Sequence, residues 1–262
     1  MEPEKQDKSS NITFKSFVKD NASSMFGLDR RLWGTLKLLL FYPGKLTKAY
    51  LYEGQSQFTA PTTLYFSVNF LFFLLQPLIN SGRIQLLNFR YKGFVANEGR
   101  HKEWIESGMA ESGLSELIYE IKLDAFISFH QPALIFIMIP FMALLIWLIE
   151  LKRGERLVFH TVHAFHFMTF FLLLFLVVAG VTNITSWMLS DQFPNLNRWL
   201  FPISMISVFV WLILHLVISF RRLGTGHWFI CLLKSMGMTA GFFILFLAYI
   251  NVLLLWAIFN VS

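Results

Sequence analysis

The chain has 262 residues, of which 55% are hydrophobic and 17% aromatic, and only 15% are charged, against about 25% in a typical soluble domain. A soluble protein of this size would carry charges on the outer faces of its helices, so the composition excludes an ordinary globular enzyme and makes lipid the natural solvent. The net charge of +6 comes from bases beside the apolar runs, which suits anionic lipid head groups and not nucleic acid. The lone cysteine, Cys231, rules out a disulfide framework or a cysteine-based zinc site within one chain.

Residues 1–28 are polar and mixed in charge, and read as a cytoplasmic tail. The first 60 residues are too polar to hold the apolar core of a cleavable signal peptide. From Asp29 the text becomes DRRLWGTLKLLLFYPGKLTKAYLYEG. Leu32, Trp33, Leu36, Leu39 and Leu40 recur at helical spacing, with Arg30, Arg31 and Lys37 on the other side. Asp29 can cap this helix and Pro43-Gly44 stops it. Such a helix lies in the membrane interface or packs on the rest of the protein, and the residues leave both open. A second short helix, Lys45–Glu53, leads into the first span, so 29–60 reads as an interfacial unit.

Five stretches hold no Asp, Glu, Lys or Arg: Gly54–Gly82, Ala125–Ile149, Leu157–Ser190, Trp199–Phe220 and Ser235–Ser262. Each is at least as long as the roughly 20 residues that cross a bilayer core as a helix. They place spans near 61–79, 131–149, 158–181, 200–220 and 238–259, within a transmembrane domain covering 61–262. The expected fold is an all-α integral membrane bundle of about five transmembrane helices with amphipathic interfacial helices. The loop 80–129 is expected outside the cytoplasm. In it Leu114, Leu117, Ile118, Ile121 and Phe126 mark one face of a helix lying on the membrane or capping the bundle. Glu116, Glu120 and Asp124 form a solvated stripe on another face.

Lys and Arg set the orientation. Nine precede the first span, and the links after the second and fourth spans carry three each. On the other side stand Arg198 and six in the long loop, where seven acids accompany them. The N-terminus is therefore expected in the cytoplasm and the C-terminus outside. Arg221 and Arg222 close the fourth span and, with Arg30, Arg31 and Lys37, are candidate contacts to lipid head groups. Asn69 and Asn251 are the main polar groups in the first and last spans, and suit bonds across helix interfaces better than substrate binding.

Two stretches carry a family resemblance. One is TLKLLLFYPGKLTKAYLYEGQSQFTAP, with Thr35, a leucine run, Pro43-Gly44, Tyr50, Gly54, Phe58 and Pro61. The other is ERLVFHTVHAFHFM, entering the third span. Together they resemble an uncharacterised family of bacterial multi-spanning membrane proteins that carries a domain of unknown function. Its members often begin with a zinc-ribbon-like segment, which Met1–Asp29, without cysteine, lacks. Its members also tend to have bases after the glycine that matches Gly54, where this chain has Gln55, Ser56 and Gln57. The resemblance implies a bacterial inner-membrane location and no particular activity.

His160, His163 and His166 span an arc of about 120° on one helix. His215, on the returning span, is expected at similar depth. Three chemistries compete for them. A divalent metal accepts three or four imidazole or carboxylate ligands near 2 Å. Haem takes one histidine from each of two facing helices, but the third span has only Gly180, far from the histidines, and the fourth has no glycine to admit a porphyrin. In the third reading these are packing histidines, bonded to neighbouring helices. No nucleophile–base pair, P-loop or metalloprotease motif appears. The reading therefore leans away from catalysis, toward an interaction, scaffold or accessory role with lipid, a membrane protein partner or a second copy. A metal- or haem-binding enzyme and a small-solute or lipid channel are the alternatives.

Overall fold

The computed structural model describes residues 31–53, 57–80, 100–151, 154–189, 191–193, 195–224 and 226–262. The expected tail 1–28, Arg30 and residues 81–99 of the long loop lie outside these. The described chain is helical throughout, with no strand among the described residues. Helix α1 covers 31–41. Then come α2 (Lys45–Tyr52), α3 (Pro61–Asn80), α4 (Arg100–Ser112), α5 (Glu116–Leu134), α6 (Met138–Ile149), α7 (Leu157–Leu189), α8 (Leu196–Arg222) and α9 (Trp228–Val261).

Among the described residues four helices are long and apolar enough to cross a membrane: Glu116–Ile149, Leu157–Leu189, Arg198–Arg222 and Trp228–Val261. The protein is an all-α membrane bundle. The first expected span corresponds to α3, which carries Asn69, Gln76 and Pro77 and is not among the four. It nevertheless runs parallel to α7, with Tyr65 beside Phe165 and Phe72 beside Phe175.

Helix α7 is the centre of the bundle. It packs against α3, α6, α8 and α2. In its most apolar window 67% of residues are buried, against 28–44% for the other three candidate spans. That difference explains why its polar residues had to find partners inside the protein, while the outer helices turn apolar side chains to lipid. Phe167, Phe171, Phe242 and Phe246 interlock edge to face between α7 and α9. Gly241 lets α9 approach α6, since a Cβ there would sit 2.7 Å from Leu145 Cδ2.

The expected outer-loop helix is corrected in its extent. It is not a separate element: α5 runs through the 3-10 turn Ile135–Ile137 into α6, so one helical rod begins at Glu116 and not near 131. Its expected apolar face is divided between the surface and the core. Leu117, Ile118 and Ile121 are exposed, whereas Tyr119, Leu123 and Ile127 are buried. In a bilayer the apolar stripe is satisfied by lipid, so hydrophobicity does not identify the buried side. Leu114 and Phe126 do pack against the core.

The 3-10 turn lies just after Pro132. Where backbone pairing changes from i→i−4 to i→i−3, one carbonyl loses its helical donor. Asn69 Nδ2 donates to the Pro132 carbonyl at 2.9 Å, and Tyr249 Oη donates to the Gln131 carbonyl at 3.3 Å. Asn69 thus serves the interhelical role expected of it. Asn251 does likewise: its Oδ1 bonds His101 Nε2 on α4 at 3.0 Å, and its Nδ2 donates to the Leu247 carbonyl.

Candidate functional site: a histidine-lined end closed by α2

The first turns of α7 bring His160, His163 and His166 into the bundle, and all three are buried. His215 of α8 is buried at the same end, within electrostatic reach of His163 and His166. His163, His166 and His215 therefore lie close together, with His160 buried earlier on the same helix. Each meets different chemistry. His166 Nδ1 shares a 2.8 Å hydrogen bond with Thr47 Oγ1 of α2. His163 Nε2 shares one of 3.2 Å with Ser219 Oγ of α8. The His215 ring stacks on Phe170 with centroids 3.6 Å apart. His160 meets Phe159 edge to face. One nitrogen in each of two rings, His166 Nε2 and His215 Nδ1, is buried with no hydrogen-bond partner among the described residues. Among the described residues no three His, Cys, Asp or Glu side chains form a set that could hold a metal ion.

Helix α2 closes this end. Its buried residues are Leu46, Thr47 and Ala49, a stripe with helical spacing that turns Thr47 toward α7. The Pro43-Gly44 stop seats it. Gly44 has φ 75°, a conformation that glycine adopts without penalty. A Cβ there would lie 2.7 Å from Ser219 Cα and 2.8 Å from Ser219 O. The turn therefore rests directly on the α8 backbone, beside the hydroxyl that bonds His163. Arg222 Nη1 donates to the Pro43 carbonyl at 3.0 Å, and Tyr50 meets the His166 ring edge on.

Basic groups collect around the closure. The Arg222 guanidinium and the Lys45 ammonium both stand over the Tyr42 ring, at 5.9 and 5.5 Å. Arg221 donates to the Gly226 carbonyl and lies over Trp228. Lys37 is exposed on α1. Helix α1 packs on the bundle through one face and leaves another exposed. Thr35 and Leu39 are buried against the bundle, and Thr35 Oγ1 accepts a bond from the Thr59 amide. Trp33 and Phe41 stay about 70% exposed, with Leu40 and Tyr42 beside them. Arg31 is exposed at the start of the helix.

Three features here were not foreseen from sequence: Thr47, Ser219 and the pairing of Glu150 with Lys234. Lys234 Nζ stands 3.3 Å from Glu150 Oε1, with the carboxylate side chain fully buried. The only prior signal for the pair was that both flank apolar runs at the same end. Tyr52 Oη donates to Glu155 Oε1 at 3.2 Å and fastens the end of α2 to the link before α7.

No curated protein and no solved structure matches the chain. Residues 29–73, which carry α1, α2 and the start of α3 and so contain Gly44, Thr47 and Asn69, match the model of a family described as a protein of unknown function, DUF3667.

Proposed function

We propose that this is a non-enzymatic accessory or scaffold protein of a bacterial inner membrane, with its N-terminus in the cytoplasm and its C-terminus outside. It uses α1–α2 as an interfacial module. The observation that carries the reading is the seating of that module. Thr47, Gly44 and Arg222 hold it on the histidine-lined end, so that Trp33 and Phe41 project beside Lys37, Lys45 and Arg222. Apolar and basic side chains presented together suit an anionic bilayer surface. A membrane protein partner or a second copy would meet the module there. The histidines, in this reading, bind α2 and α8 to α7, and Asn69 and Asn251 join helices without lining a solute path. The test is reconstitution with and without phosphatidylglycerol. Anionic lipid should stabilise the wild type, and the triple variant Lys37→Gln, Lys45→Gln, Arg222→Gln should lose that increment. An equal response from both proteins would refute the reading.

A second reading has one specific observation behind it: the buried, unpartnered His166 Nε2 and His215 Nδ1. These two nitrogens would supply paired imidazole ligands to a metal that takes its other ligands from elsewhere, or axial ligands to haem. Metal analysis and an absorption spectrum of the purified protein test it. Stoichiometric metal or a Soret band that His166→Ala removes would support it, and neither in the wild type would reject it.

A further inference from the structure

A groove of about 350 Å³ runs between the helical rod over Leu134–Phe141 and α9. Its volume is in the range of roughly 300–1,000 Å³ that small-molecule sites occupy. One wall is Leu134, Ile137 and Phe141; the other is Val252, Tyr249 and Leu245, with Ala248 between them. Each wall is a stripe at helical spacing. Extended one turn outward, the stripes reach His130 on α5 and Trp256 on α9, and these two rings meet edge to face with centroids 4.6 Å apart. Phe126 packs against both, tilted over His130 and edge to face with Trp256. The His130–Trp256 pair stands one helical turn beyond the groove, toward the end of the bundle opposite the basic one, and an indole ring suits the membrane–water interface.

We infer that this groove seats one acyl chain of a phospholipid from the leaflet opposite the basic end, with the head group at the His130–Trp256 pair. The walls give shape and apolar surface and almost nothing else. The Tyr249 hydroxyl is turned to the Gln131 carbonyl, so among the described residues no hydrogen-bonding side chain faces an occupant from the middle of the groove. A helix from a second copy would need a run of small residues or polar contacts to hold it, and the lining has Ala248 alone. A hydrocarbon chain needs neither. The groove lies along two membrane-crossing helices, where such chains are the surrounding solvent. The inference does not depend on the role of α1–α2, and groove variants leave that module untouched.

Native mass spectrometry of the full-length protein, purified in mild detergent, tests it. The wild type should retain one phospholipid. Ala248→Phe fills the groove from an exposed position and should lose that lipid. Val252→Phe, which also reaches the groove from an exposed position, should do the same, and serves if the first variant fails to fold. Ile244→Phe, exposed on the same helix but outside the lining, should keep it. A wild type without retained phospholipid, groove variants that retain it equally, or a dimer that Ala248→Phe splits with the lipid still bound would overturn the inference.

Discussion

Thr47 of α2 and His166 of α7 share a buried 2.8 Å hydrogen bond between residues 119 positions apart. It joins the segment matched by the family model to the central helix of the bundle. Replacing Thr47 with Val keeps the side-chain shape and removes the hydroxyl. A buried imidazole nitrogen then loses its partner, at a cost of about 1–3 kcal/mol. Thr47→Ser should retain most of the stability. Unfolding of the purified protein in mixed micelles measures both, and a Val variant as stable as the wild type would show that the bond contributes nothing.

Gly44 and Gly34 separate close approach from helix propensity. A Cβ on Gly44 collides with the Ser219 backbone at a positive φ, whereas nothing lies within 4 Å of one on Gly34. Gly44→Ala should therefore unseat α2, visible as faster hydrogen exchange over Lys45–Tyr52. Gly34→Ala, in the exposed middle of α1, should be neutral or stabilise by about 0.5–1 kcal/mol. Equal effects at the two positions would contradict the seating of the turn on α8.

The Glu150–Lys234 pair leads to a non-additive prediction. Lys234→Met leaves a fully buried carboxylate without its ammonium partner. Breaking a buried pair from one side costs about 3–5 kcal/mol, and less where the lysine keeps some exposure, as it does here. Adding Glu150→Gln should recover part of the loss, since the charge that needed compensation is gone. A double-mutant cycle in the same unfolding assay measures the coupling, and simple additivity would count against it.

Much of the architecture was legible because charge exclusion from lipid is a strong signal. Helices were expected wherever Asp, Glu, Lys and Arg were missing, and α7 and α8 began within a few residues of the expected points. Facing was not legible in the same way. Leu117, Ile118 and Ile121 form an apolar stripe that suits lipid or a protein interior alike, and burial alone tells that they are exposed, because hydrocarbon accepts them as readily as a core does. Lys234 was placed in a link because charges end spans, but α9 starts at Trp228 and carries it inside, paired with Glu150. The histidine cluster was visible as spacing and depth. Its partners were not: Thr47 and Ser219 are ordinary hydroxyl residues, and only the tertiary approach of α2 and α8 to α7 reveals which nitrogen each one meets. Pro43-Gly44 was legible as a helix stop, and its second role, direct contact with the Ser219 backbone, depends on a neighbour 175 positions away.

The central claim is that α1–α2 presents an interfacial surface to the leaflet at the basic end, and the most direct test is the depth of residue 41 in a bilayer. A fluorophore placed at Phe41→Cys, in a Cys231→Ser background, is examined in proteoliposomes containing phosphatidylglycerol. The emission should be blue-shifted and quenched more by a nitroxide at the lipid head group than by one at the bilayer centre or by a water-soluble quencher. Emission at the aqueous position, quenched only from the water phase, would contradict the account.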